Sequence, residues 1–60
     1  MNEILINKQN MYNEIYTFKI NKEDSCFYVA CYFKNQYIRG SSKRFICLND
    51  SLNFVKEVMV

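Results

Sequence analysis

The most reactive side chains in this 60-residue chain are three cysteines, Cys26, Cys31 and Cys47, and six carboxylates, Glu3, Glu14, Glu23, Asp24, Asp50 and Glu57. Thiolates serve as nucleophiles and metal ligands, and carboxylates as acids, bases and ligands. Their spacing here suits none of these uses. Cys26 and Cys31 stand five apart with no second pair, which is neither a zinc-site spacing nor a CxxC redox motif. Histidine is absent, so the commonest general base and metal ligand is missing. Only Glu23 and Asp24 are adjacent, and their polar surroundings read as a solvated turn. Gly40 is the only glycine, which leaves no phosphate-binding loop. The cysteines read as buried, structural thiols. No catalytic residue, metal or cofactor is expected, and binding is the expected mode of action.

The candidate contact residues are aromatic and basic. Tyr28, Tyr32 and Tyr37 run into and overlap a basic segment, Lys34, Arg39, Lys43 and Arg44, four cations with no acid between residues 34 and 44. Tyr and Arg are enriched in protein–protein hot spots, and aromatics interleaved with cations also suit base stacking and phosphate contact. The plain alternative is that tyrosine is a good strand former and a basic hairpin is a soluble sheet edge. The small formal net charge of +2 ranks a protein partner above a nucleic acid, whose affinity scales with the phosphates neutralised.

These residues need strands to position them. Residues 1–12 fit two patterns, a short strand at Glu3–Ile6 followed by a polar turn at residues 7–10, which is favoured, and a loose helical stripe of Ile4, Leu5, Met11, Tyr12 and Ile15. From Glu14 the period is two, with Tyr16, Phe18 and Ile20 on one face and Thr17 and Lys19 on the other. Residues 21–25 read as a polar turn, and Cys26–Phe33, aromatic and β-branched without Gly or Pro, as the strongest strand. Lys34-Asn35-Gln36 reads as a tight hairpin turn, Tyr37–Arg39 as a short strand that puts Tyr37 and Arg39 on one face, residues 40–42 as a turn or bulge, and Lys43–Leu48 as a last strand. The inward face of that strand is open, since Phe45/Cys47 and Ile46/Leu48 are both apolar.

A helix follows, with Asn49 or Asp50 as its N-cap and Leu52, Val55 and Met59 along its buried face. Phe54 and Val58, four apart on an apolar surface that also includes Val60, are expected to face a partner or a second copy. The predicted fold is a single α+β domain over residues 1–60: a small antiparallel meander of four or five strands with one C-terminal helix on one face. Phe27, Val29, Cys31 and Phe33 are expected beneath the helix, with Tyr28 and Tyr32 on the open side.

A chain this short buries only about 60% of its unfolded surface, so oligomerisation is one route to stability, and a homodimer is a further expectation. Three cysteines cannot all pair within the chain, no basic-then-apolar leader stands at the N-terminus, and no apolar run suits a membrane span. A cytoplasmic location and no membrane partner are expected. Asn, Lys, Ile, Tyr and Phe make up half the chain, while Pro, Trp and His are absent. Those enriched residues have AT-rich codons, which points to an AT-rich genome such as that of a low-GC bacterium, its phage or some parasites.

From FYVACYFKNQYIRGSSKRFICLNDSLNFVKEV, the order strand, turn, strand, basic turn, strand, helix is similar in layout to the arm-type domains of phage integrases and to the plant ethylene-response-factor domain. That likeness implies a three-stranded sheet, backed by a helix, that enters the DNA major groove. The tryptophan and dense arginines of those families are missing here. The expected function is a small phage- or mobile-element-encoded protein that docks on a host protein complex and inhibits or modulates it, for example an anti-CRISPR-type inhibitor of nucleic-acid-handling machinery acting in the host cytoplasm. A sheet-mediated DNA/RNA-binding module is the alternative, and a small assembly subunit the second.

Overall fold

A computed structural model describes residues 3–59. Its elements are β1 (Glu3–Gln9), β2 (Ile15–Glu23), β3 (Cys26–Phe33), β4 (Gln36–Tyr37), β5 (Lys43–Phe45) and α1 (Leu48–Glu57). All strand pairs are antiparallel, and α1 lies on one face of the five-stranded sheet. This is the α+β fold the sequence predicts. Val60, expected on the apolar helix surface, lies outside the described residues, as do Met1 and Asn2.

The strand boundaries differ from expectation where polar residues join a ladder. Residues 7–9 continue β1 because each faces a residue of β2, Asn7 opposite Thr17 and Gln9 opposite Ile15. Residues 21–23 likewise extend β2 against Cys26–Tyr28. The turns are correspondingly tighter. Asp24 and Ser25 join β2 to β3, with Asp24 at φ 55°, and Lys34 and Asn35 join β3 to β4 at φ 52° and 65°. Two positive φ values in a two-residue turn match the right-handed twist of the flanking strands, and Asn tolerates that conformation well. The longer β1–β2 turn is organised by Asn10, whose Oδ1 accepts from the backbone N–H of Tyr12 and Glu14 at 2.9 and 3.0 Å.

The fourth position of the sheet is not one strand. β4 and β5 both pair with β3 and lie end to end along it, so the three-stranded meander implied by the DNA-reading resemblance does not form. β4 stops at Tyr37 rather than Arg39. Had its register continued, Val29 would face Gly40; it faces Lys43 instead, three residues later. The extra residues form the loop 38–42. Ser41 fills the gap this leaves: the Cys31 N–H donates to its Oγ at 3.1 Å, and the hydroxyl donates to the Ile38 carbonyl at 2.7 Å.

The core lies between the sheet and α1. Phe18, Ile20, Val29, Cys31 and Val55 are buried, with Phe27, Phe45, Leu52, Phe54 and Val58 packed around them. β5 ends at Phe45, which turns inward, while Ile46 is 82% exposed and Leu48 opens the helix. The N-cap is Cys47, not Asn49 or Asp50, and it makes no side-chain cap bond. The C-terminal end is closed from the far edge of the sheet. Lys8 Nζ donates to the carbonyls of Val55, Lys56 and Val58 at 2.7, 3.1 and 2.6 Å. A cation there also meets the negative end of the helix dipole. Met59 lies beyond α1 and is exposed, because the chain turns extended at Val58.

Ser41→Ala removes the acceptor for a part-buried N–H. The expected loss of stability is about 1–3 kcal/mol, read by urea denaturation.

Candidate functional site

The face of the sheet away from α1 carries the aromatic and basic residues. Side chains of a strand alternate between faces, so Cys26, Tyr28, Ala30 and Tyr32 share the open side while Val29 and Cys31 are buried beneath α1. Pairing adds neighbours in rows. Tyr32 lies between Thr17 and Tyr37, Ala30 beside Lys19, and Tyr28 between Asn21 and Arg44.

Specific contacts hold these groups. The rings of Tyr32 and Tyr37 meet edge to face at 5.7 Å, and Tyr37 Oη lies 2.7 Å from Ser42 Oγ. Lys19 Nζ stands 4.3 Å from the centre of the Tyr32 ring. Arg44 lies over Tyr28 at 5.8 Å, and its Nη1 donates to the Tyr28 hydroxyl at 3.4 Å. Each cation–π contact of this kind contributes about 0.5–1 kcal/mol at an exposed site, enough to favour one arrangement of a long side chain. Ala30, between the two tyrosines along β3, is the low point of this surface.

The remaining sequence candidates are placed elsewhere. Arg39 is exposed in the loop 38–42 and does not share a strand face with Tyr37. Lys43 points to the helix side: it pairs with buried Val29, and its Nζ lies 6.0 Å from the Phe54 ring. The odd three-residue offset reverses which positions of the edge point outward, so Arg44 rather than Lys43 joins the tyrosines. Lys34 sits in the hairpin with its Nζ 5.4 Å from the Phe33 ring, whose other neighbour is Tyr16, stacked at 4.7 Å. Lys19 is the residue that sequence reasoning left out. The alternation in β2 already separates it from Phe18 and Ile20, but its place beside Tyr32 follows only from the β2–β3 register.

Phe54 and Val58, expected to face a partner, are partly covered by the domain itself. Both are half-buried against the core, Phe54 with its ring 5.4 Å from that of Phe45. They form one wall of an open cleft of about 490 Å³ near the C-terminal end of α1, with Phe18, Cys31, Ile38 and Lys43 opposite. Burial of Cys31 raises its thiol pKa above the ordinary value, because the thiolate would lose its hydration there. All three cysteines are free, but only Cys31 is the buried thiol the sequence suggests; Cys26 is half-buried, and Cys47 is exposed where the chain leaves β5 for the helix. Among the described residues, no group of three His, Cys, Asp or Glu side chains could hold a metal ion, and no helix is long and apolar enough to cross a membrane. Compared with protein-family models, curated proteins and solved structures, the chain matches none.

Two outcomes are expected. A thiol reagent modifies exposed Cys47 rapidly, whereas Cys31 reacts only as the protein unfolds, which mass spectrometry of partly labelled protein resolves. Lys19→Ala and Arg44→Ala each change stability by no more than about 1 kcal/mol in urea, because neither supports the core.

Proposed function

We propose that this chain is a small non-catalytic binding protein that docks on another protein through the open face of its sheet. The observation that carries this reading is the cluster of Tyr28, Tyr32 and Tyr37 with Lys19 and Arg44 on the face that α1 leaves uncovered. Tyrosine and arginine held in place by neighbours lose little side-chain freedom on binding, which is what a hot spot requires. The bias toward residues with AT-rich codons, the small size and the lack of catalytic motifs fit a phage or mobile-element origin. Docking then inhibits or modulates a host complex in the host cytoplasm, an anti-CRISPR-type action on nucleic-acid-handling machinery being one such form.

A nucleic acid is the weaker alternative. Base stacking needs bare aromatic planes, and Tyr28 and Tyr32 each already have a cation over one face of the ring. Lys34 and Lys43 lean toward aromatic rings on the helix side, so the basic segment does not form one phosphate-tracking stripe.

Affinity capture from nuclease-treated host extract tests the proposal, with the wild type compared against Tyr32→Ala/Arg44→Ala. Loss of two hot-spot side chains is expected to lower recovery of a stoichiometric protein partner by about tenfold or more. Arg39→Ala/Lys43→Ala, which alters cations off the face, is expected to leave recovery unchanged. Equal recovery by the wild type and the Tyr32/Arg44 variant overturns the reading. Salt-sensitive retention of DNA or RNA, reduced by Arg39→Ala/Lys43→Ala, would favour the nucleic-acid module.

A further inference from the structure

The two edges of the sheet are built differently. One edge is broken into β4 and β5, of two and three residues, with the loop 38–42 between them. The other edge is β1, seven residues in unbroken register with β2 and no strand on its outer side among the described residues. Such an edge presents a row of unpaired N–H and C=O groups, which proteins normally protect with proline, a bulge or a charge. The chain has no proline, and the β1–β2 register runs through seven consecutive pairs without a bulge. Of the two charges in β1, Lys8 is bonded to the carbonyls at the end of α1, and Glu3 accepts from Asn21 Nδ2 of β2 at 3.3 Å, so both are engaged within the domain.

We propose that β1 pairs with β1 of a second copy of this chain, antiparallel and centred on Leu5, so that two sheets join edge to edge. An exposed strand edge accepts an extended strand, and the sequence of β1 indicates which one. A two-fold antiparallel pair sets each residue opposite one on the same face and sets the central residue opposite itself. Glu3-Ile4-Leu5-Ile6-Asn7 is symmetric in polarity about Leu5. Leu5 then meets Leu5 of the second copy, Ile4 meets Ile6, and Glu3 meets Asn7. Asn7 Oδ1 already accepts from Thr17 Oγ1 at 2.8 Å, which leaves its NH2 to donate to the opposing Glu3 carboxylate. Centring on Ile6 would instead set Lys8 against Ile4, and centring on Asn7 would set Leu5 against Gln9.

Burial supports the same register. Leu5 is 59% exposed on the open face. On the other face Ile4 and Ile6 are only half-buried, because α1 rests mainly on β3 and β5. Pairing about Leu5 covers apolar side chains on both faces of the strand. Leu5 lies opposite Lys19 at the border of the tyrosine face, but the pairing acts through the backbone of the strand edge and is read from the mass of the isolated chain, so either proposal can fail alone.

Sedimentation equilibrium of the full chain across the micromolar range is expected to show association toward twice the 7.3 kDa chain mass. Leu5→Lys, at an exposed position, is expected to keep its far-ultraviolet circular dichroism and to sediment at the single-chain mass. In a Cys26→Ser/Cys47→Ser background, Leu5→Cys is expected to give a disulfide dimer on mild oxidation, because residues opposed in a ladder lie within disulfide reach. Glu3→Cys in the same background is displaced along the strand from its copy and is expected to stay monomeric. A wild type that remains a single chain at every concentration overturns the proposal. So does cross-linking by Glu3→Cys equal to that by Leu5→Cys.

Discussion

The arrangement of both sheet faces depends on how the gap beside Cys31 is filled. An edge strand in continuous register would place its alternate residues on fixed faces along its whole length. Here the chain leaves β3 after Tyr37 and returns three residues out of step, so Lys43 and Phe45 turn inward and Arg44 turns outward. This is possible only if the Cys31 N–H, deprived of a strand partner, finds another acceptor, since an unpaired backbone donor away from water is costly. Ser41 Oγ supplies it and is itself tied to the Ile38 carbonyl. One hydroxyl thereby permits the offset that brings Arg44 to Tyr28.

The charges follow the same geometry. Lys8 closes the helix, Lys19 and Arg44 lie over tyrosines on the open face, and Lys22, Lys34 and Lys43 lie near Phe27, Phe33 and Phe54 on the helix side. Long basic side chains can cover apolar rings while their charged ends stay in water. In a domain with few fully buried side chains, such cover shields aromatic rings that the single helix cannot reach. Cations so dispersed stabilise individual rings and do not build a continuous positive groove.

These relations also decide what the sequence could disclose. Cys26–Phe33 is legible residue for residue because the period-two pattern needs only the pleat of one strand. Tyr28 and Tyr32 on the open side follow from it; Tyr37 joins them only because the turn is Lys34-Asn35, whereas the three-residue turn that the sequence suggests would have set Tyr37 opposite Phe33. The polar ends of β1 and β2 resemble turns because their composition is that of turns; partner strands hold them extended, and a partner is not visible in a local window. Arg39, Lys43 and Lys19 were out of reach for the same reason, since their faces depend on a register offset or on cross-strand neighbours. Phe54 is partly covered by Phe45, whose inward position depends on the same offset, while Val58 still borders the open cleft. The helix start was obscured because Leu48, an apolar residue, continues the pattern of the preceding strand.

The two surfaces proposed here act in perpendicular directions, which makes them compatible. Strand addition at β1 extends the sheet in its own plane through backbone groups, whereas docking on the tyrosine face proceeds along the normal through side chains. A two-fold axis perpendicular to the sheet keeps both helices on one side and both tyrosine faces on the other. Two copies joined at Leu5 would therefore present a doubled face to one partner, and a second contact made from an already bound dimer is intramolecular, with the gain in avidity that this brings. The same pairing would cover Ile4 and Ile6 where α1 does not reach, so the edge left bare in the single chain would serve stability and binding together.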